Sequence, residues 1–418
     1  MSMPTTPYGG GAPGRGAVPD GAHRATAASA APATRIPPGP YAPARSHGFV
    51  GASASSAPGA SASATSAVSA ASAPRAATVP RRTGSARRAA PPHRGAPPYQ
   101  DDAPQTPAPL ARALVESIES VVVGKREAVE TTVATFLAGG HLLVEDVPGV
   151  GKTTLALALA RCLELTASRI QFTADLLPAD VTGVSVYDQS TRTFRFHPGP
   201  IFAGVVVADE INRATARTQS ALLEAMGEGH VSIEGDTRPL PDPFMVVATQ
   251  NPLDMEGTFR LPEAQRDRFM TRLAIGYPEP DAESAMLLAR SATDPTDALV
   301  PVATADDAVR ARRAVAGLHV APAVAAYVVA LVAATRADPD LVLGASPRAG
   351  LHLLAMARAG AAMAGRDYVS PDDVALAAPG VLTHRLVPAG RQASAAEAAA
   401  VAARVLADRI ASVAVPRG

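Results

Sequence analysis

The stretch Pro148-Gly149-Val150-Gly151-Lys152-Thr153-Thr154 gathers two glycines, a lysine and two hydroxyls between a short apolar run and an Ala-rich one. Glycines let a backbone turn come close to an anion. A helix opening at the lysine would aim N–H groups and partial positive charge at it. That is the chemistry of a phosphate cradle. Lys152 would reach β- and γ-phosphates, and the Thr153 hydroxyl would bind a magnesium ion. One position departs from the usual glycine-rich pattern: Asp146 stands where a leading glycine is common.

A second cluster follows in the chain. Val205-Val206-Val207-Ala208 is an apolar run ending in Asp209-Glu210. In phosphoryl transfer the first such acid holds magnesium, and the second can orient and deprotonate an attacking water. A third run, 244–249, leads to Asn251, a polar side chain placed to touch both the terminal phosphate and the water. Singly, an acidic pair after a strand is a solvated loop start, and Asn before Pro is a turn signal. Together the three clusters specify hydrolysis of a nucleoside triphosphate, with ATP and Mg2+ as the expected cofactors.

These side chains need a frame. The spacing predicts helices over 110–122 and 128–137, a buried strand at 141–144 and a helix over 155–163. It then predicts a strand at 204–208, a helix over 218–226, a hairpin over 230–239 turning at Gly235-Asp236, and a strand at 244–249. Strands alternating with helices give an α/β fold, a parallel sheet covered on both faces. From 281 the strands stop and helical patterns run to the end. Ser346-Pro347 and Ser370-Pro371-Asp372-Asp373 are helix starts, the latter a capping box with Asp in place of Glu. The expected division is a tail at 1–108, an α/β domain at 109–280 and an all-helical domain at 281–418.

The formal net charge of zero conceals an asymmetry. Residues 1–100 hold ten Arg, no Lys, one Asp and no Glu, about +9, so residues 101–418 sum to about −9. The tail is rich in Ala, Pro, Ser, Gly and Arg and is expected to be disordered, since it cannot bury enough surface to offset its ordering entropy. It lacks a signal-peptide layout. The longest apolar run beyond it, 320–334, contains Pro322 and falls short of the roughly 18 to 20 residues that span a bilayer. A buried helix is expected there, and no membrane insertion. Cys162 is the one cysteine, which excludes an intramolecular disulfide; it sits in an apolar helical stretch. A cytoplasmic protein is expected.

With these elements placed, residues 110–390 resemble the MoxR family of AAA+ ATPases. The stretches that carry the resemblance are 145–154, 171–180 (Gln-Phe-Thr-Ala-Asp-Leu-Leu-Pro-Ala-Asp), 196–202 (Phe-His-Pro-Gly-Pro-Ile-Phe), 209–214 (Asp-Glu-Ile-Asn-Arg-Ala) and 261–269 (Leu-Pro-Glu-Ala-Gln-Arg-Asp-Arg-Phe). Asp146 is not unusual for this family. The resemblance implies a P-loop parallel sheet followed by a helical lid, and a ring, a hexamer, with ATP between subunits. It implies that Arg268 is an arginine finger entering the neighbour's site, although Arg266 stands where the family usually has Leu and leaves the choice between the two open. It implies that Arg348, in Ser346-Pro347-Arg348-Ala349, is a second sensor on the γ-phosphate. An arginine at a helix start opposes the helix dipole, so an anion there is a reasonable companion. Gly124 would lie near the adenine, or simply stop a helix. Residues 178–202 resemble an inserted hairpin, and 230–239 would face the pore.

The function expected on this reading is an ATP-driven remodelling chaperone acting in maturation or assembly of a client complex, with a partner carrying a von Willebrand factor A domain. A nucleic-acid motor is the alternative from another class, resting on the ten Arg of the tail; the acidic body and the scarcity of stacking aromatics in the tail speak against nucleic acid. A magnesium-chelatase-type motor subunit shares the architecture, but the 209–214 and 261–269 runs favour MoxR. A non-hydrolysing ATP switch is disfavoured by Glu210, Asn251 and Arg268.

Overall fold

The computed structural model describes residues 107–251, 259, 261–289 and 295–416, all within one compact unit of the chain. The expected disordered tail lies outside the described residues, except that Pro107 and Ala108 already open the first helix and are buried in it. Helices α1 (Pro107–Glu119) and α2 (Arg126–Leu137) lead into β1 (Leu142–Glu145), α3 (Lys152–Cys162) and β2 (Ala167–Gln171). After α4 (Pro178–Thr182), β3 (Gly183–Asp188) and β4 (Thr193–Pro198) form a hairpin. Then come β5 (Val205–Asp209), α5 (Ala216–Glu228), the hairpin β6 (His230–Ile233) and β7 (Asp236–Pro239), and β8 (Met245–Gln250). The α/β part ends with α6 (Glu263–Arg266) and β9 (Thr271–Leu273).

The central sheet has the order β2-β5-β8-β1-β9, and every neighbouring pair is parallel. Its middle strands are apolar until their carboxyl ends because both faces are covered. Val205, Val207 and Val247 face one apolar cluster, with α1, α2 and α3; Val206, Ala208, Val246 and Ala248 face the other, with α5 and Phe269. The sheet has two strands more than the expected three. β2 is an edge strand with only Ile170 buried, and β9 has three residues, so neither makes an apolar run. The second hairpin turns one residue earlier than expected. Ile233 pairs with Asp236, leaving Glu234-Gly235 as the turn, both at positive φ (53° and 91°), which suits the twist of a two-residue loop.

The helical lid holds α7 (Pro280–Ala289), α8 (Ala305–Ala316), α9 (Pro322–Arg336), α10 (Pro347–Met363), α11 (Pro371–Leu382) and α12 (Ala395–Ser412). Strands do not stop entirely at 281: β10 (Leu341–Leu343) and β11 (Val387–Pro388) pair as a short antiparallel ribbon. Both predicted helix starts are capped. Ser346 accepts from the Ala349 N–H, and Ser370 forms a capping box with Asp373. The 320–334 run becomes α9, apolar nearly all round but buried on one side only, with Val329 exposed. Among the described residues no helix is long and apolar enough to cross a membrane. Cys162 is free and buried, beside the Ser117 hydroxyl.

Candidate nucleotide site

The carboxyl ends of β2, β5, β8 and β1 lie side by side. Gln171 is in register with Asp209, and Glu145 with Gln250. Loops leaving that edge of a parallel sheet form the usual ligand crevice of such folds. Here they enclose a cavity of about 370 Å3.

The cradle begins where β1 ends. Gly149 and Gly151 have φ of 86° and 90°, a conformation L side chains rarely adopt, while a Cβ on either would meet no atom within 4 Å. Glycine is therefore required by backbone angle and not by crowding. Gly151 is the N-cap of α3, which starts at Lys152 and leaves its first N–H groups directed at the cavity. The Lys152 Nζ donates to the carbonyls of Asp146 (2.5 Å) and Gln250 (3.5 Å). Burial pulls its pKa below the ordinary lysine value, and the charges of Asp146, Asp209 and Glu210 oppose that.

Asp146, the departure from the glycine pattern, has a structural reason. Its carboxylate accepts the backbone N–H groups of Val147 (2.7 Å), Ile275 (2.6 Å) and Gly276 (2.6 Å). It therefore ties the start of the cradle to the chain leaving β9. A glycine could not do this.

Asp209 ends β5 and is buried. Its Oδ1 accepts from the Thr249 hydroxyl at 2.8 Å. Its Oδ2 lies 3.5 Å from the Thr153 hydroxyl and accepts from Arg169 Nε (2.7 Å) and Nη2 (2.6 Å). Glu210 sits in the left-handed region (φ 55°, ψ 47°), a strained choice for a non-glycine residue, and its N–H donates to the Thr249 hydroxyl at 3.0 Å. The Glu210 Oε2 accepts from Gln171 Nε2 (2.7 Å) and faces Arg213 Nε (3.1 Å). Two hard oxygen donors, the Thr153 hydroxyl and the Asp209 carboxylate, thus face one spot in the cavity. That fits magnesium, which takes one or two protein oxygens and fills its octahedron with water and phosphate.

The cavity walls include Pro148, Gly149, Gly151, Lys152, Thr153, Thr154, Asp209, Glu210 and Asn251, all expected from sequence. Val150 and Gly124 do not line it. Gly124 has φ 71°, and a Cβ there would come within 3.2 Å of Ala282 at the start of α7. Arg268 is also outside; its Nη1 donates to the Leu223 carbonyl on α5. Arg266 lies 3.5 Å from Glu263. Arg348, at the start of α10, has its Nη1 3.8 Å from Asp267 and half its side chain in solvent. The structure therefore brings the cradle and the acids together and leaves the three arginines outside the cavity.

Three wall residues escaped the sequence reading: Arg169, Gln171 and Thr249. The available signals were the alternation of Arg169 and Gln171 with buried Ile170 and Phe172, and a polar Thr249 inside an apolar strand.

Comparison with known proteins agrees with this geometry. Residues 141–271 match the model of the ATPase family associated with various cellular activities (AAA), and residues 333–408 match an AAA lid domain. Chaperone MoxR1 of Mycobacterium tuberculosis is 45% identical over 287 residues, covering 66% of this chain and 75% of that protein. The uncharacterized protein YeaC of Bacillus subtilis is 47% identical over 279 residues, 67% of this chain and 87% of that one. Protein MoxR of Paracoccus denitrificans is 31% identical over 296 residues, 65% and 86% of the two chains. A crystal structure of a candidate ATPase from Cytophaga hutchinsonii superposes with a TM-score of 0.67 at 32% identity, covering 75% of this chain and 97% of that one. With cradle, acids and lid in this order and relatives matched over most of their length, the chain belongs to the MoxR family of AAA+ ATPases.

Proposed function

We propose that the protein is a magnesium-dependent ATPase that assembles as a ring, a hexamer, and uses hydrolysis to remodel a client protein during maturation or assembly of a complex. The observation that carries this reading is the convergence of the cradle, the Thr153–Asp209 pair and Glu210 in one cavity. In this reading the backbone of 148–154 and Lys152 bind the phosphates, and Thr153 and Asp209 hold the metal. Bound there, magnesium would offset charge on the phosphate oxygens. Glu210, held by Gln171 and Arg213, orients and deprotonates the attacking water, and Asn251 touches water and terminal phosphate. Arg268 serves the neighbour's site, and its position outside its own cavity supports that assignment. Arg348 reads the nucleotide from the lid, and Gly124 lies toward the base. Residues 109–280 then form the nucleotide-binding part and 281–418 the lid, with 1–108 as a tail.

The chaperone reading draws on the name of the MoxR1 relative. The von Willebrand factor A partner and a cytoplasmic site of action complete the proposal. Glu210→Gln is the test. ATP turnover should fall by about 10²-fold or more, the range of a lost general base, with binding of a fluorescent ATP analogue retained. Pull-down with that variant in ATP should then recover the client. Unchanged turnover would remove Glu210 from the mechanism.

A further inference from the structure

Asp267 is the residue between the two candidate fingers, Arg266 and Arg268, and both of its oxygens are engaged by the lid. The Ser346 hydroxyl lies 2.9 Å from each of them while capping α10 through the Ala349 N–H. The Arg348 guanidinium approaches at 3.8 Å. The third partner is Arg385, in the turn after α11, whose side chain is only 2% exposed. It donates from Nε to Asp267 Oδ1 at 2.8 Å. Its remaining N–H groups go to the carbonyls of Asp267 (3.1 Å), Phe269 (2.5 Å) and Met270 (3.2 Å), to the Val381 carbonyl, and to His352 Nδ1 (2.7 Å).

A planar fork bonded to one turn through Asp267, Phe269 and Met270, and to its own lid through Val381 and His352, is a rigid fixture. Three of the carbonyls belong to residues 267–270, the segment that carries Arg268. Burial requires an acceptor for each of its five N–H donors; here three of those acceptors are the carbonyls of Asp267, Phe269 and Met270, so satisfying the guanidinium also fixes the backbone on both sides of Arg268. The fixture comes from the lid, and the same carboxylate it grips accepts from Ser346, the cap of the helix start that bears Arg348.

We propose that Asp267 and Arg385 form a latch that seats the finger turn on the lid, so that the lid presents Arg268 to the neighbouring subunit. They are positioning residues, and their effect falls in the neighbour's site. This rests on the reading of Arg268 as the finger and of Glu210 as the base.

The test uses the full chain and subunits mixed before nucleotide is added. Asp267→Asn keeps the size and one acceptor while removing the charge opposite Arg385. Alone, it should lower turnover by about 10-fold or more while fluorescent-nucleotide affinity stays within about threefold, the pattern of a lost transition-state interaction. Glu210→Gln alone should be inactive. Mixed, an Asp267→Asn cradle beside a Glu210→Gln subunit has an intact base and an intact finger, so turnover should rise well above either variant alone. A local folding defect would give no such recovery. The control mixes Arg268→Ala with Glu210→Gln. Recovery in the control without recovery for Asp267→Asn overturns the latch. No recovery in either mixture removes the shared-site reading itself, and the latch with it. If Asp267→Asn loses its cooperative unfolding transition, Ser346→Ala replaces it in the same mixtures, with the same two outcomes.

Discussion

Arg169 and a divalent cation would claim the same oxygen of Asp209, because the Oδ2 that faces Thr153 also accepts both Arg169 bonds. The Arg169 side chain is 57% exposed, so this pair is worth less than about 1 kcal/mol. Arg169→Gln should therefore tighten apparent Mg2+ affinity in the presence of nucleotide by only about two- to fivefold. It should also weaken nucleotide binding in EDTA, where Arg169 is one of the few cations near the phosphates. Fluorescent-nucleotide titrations with and without magnesium read both effects; equal weakening in both would show that Arg169 binds phosphate and does not compete for Asp209. Asp146 invites a counter-intuitive variant. Asp146→Gly restores the common glycine pattern but leaves the buried Ile275 N–H without its acceptor, at about 1–3 kcal/mol per orphaned group. Urea unfolding should show a loss of about 2 kcal/mol or more, and an unchanged midpoint would discard the anchoring role. Lys152, Thr153 and Asp209 are legible in sequence because each sits in a contiguous motif whose chemistry needs neighbours in the chain. Arg169 is not, because its role depends on the register of β2 against β5.

Elements hold the site through a few buried polar joints, and His141 is one of them. Its Nδ1 accepts the Val246 N–H at 3.0 Å and its Nε2 lies 3.1 Å from the Met226 carbonyl, so the neutral ring with the proton on Nε2 joins β1 to β8 and to the end of α5. Burial, opposed by the Met226 bond and reinforced by the charge of Arg312, lowers its pKa from 6.5 to about 4. The unfolded chain therefore takes up a proton first. Stability is fully present above pH 6.5 and drains away as pH falls toward 4, by about 3 kcal/mol from this ring alone. Between pH 7 and pH 5 the wild type should lose about 2 kcal/mol more than His141→Gln, measured by denaturant unfolding at both values. Equal losses would mean that the ring is not held neutral. The runs 205–208 and 245–248 announce β5 and β8 in sequence, since two covered faces leave those positions apolar and polar residues only at the carboxyl ends. β2 and β9 are silent by comparison, one because an edge strand alternates, the other because three residues carry no period.

Across the whole molecule, the division at 280 that the sequence suggests is a change of architecture, not a break in the core. One apolar cluster contains Val129 and Val133 of α2, Leu155 of α3, Val205 and Val247 of the sheet, and also Val315 of α8, Leu353 of α10 and Val381 of α11. Helices α1 and α2 pack against both α8 and α10, so they are shared between the α/β part and the lid. Arg312 of α8 adds a polar tie, donating to the Phe136 carbonyl at 2.8 Å and lying 4.2 Å over the Phe136 ring. A chain cut after residue 280 would expose to water the sides of α1 and α2 that pack against α8 and α10. Burying a large apolar side chain is worth about 1.5–3 kcal/mol, and total stabilities are about 5–15 kcal/mol, so losing several such contacts is enough to unfold the remainder. The fragment 107–280 should therefore show no cooperative urea transition and no fluorescent-nucleotide binding. The fragment 107–418, which removes only the segment before α1, should keep the unfolding midpoint and the ATP turnover of the full chain. A stable, nucleotide-binding 107–280 fragment would mean that the two parts fold independently, and that the lid rests on the sheet through side-chain contacts it can give up.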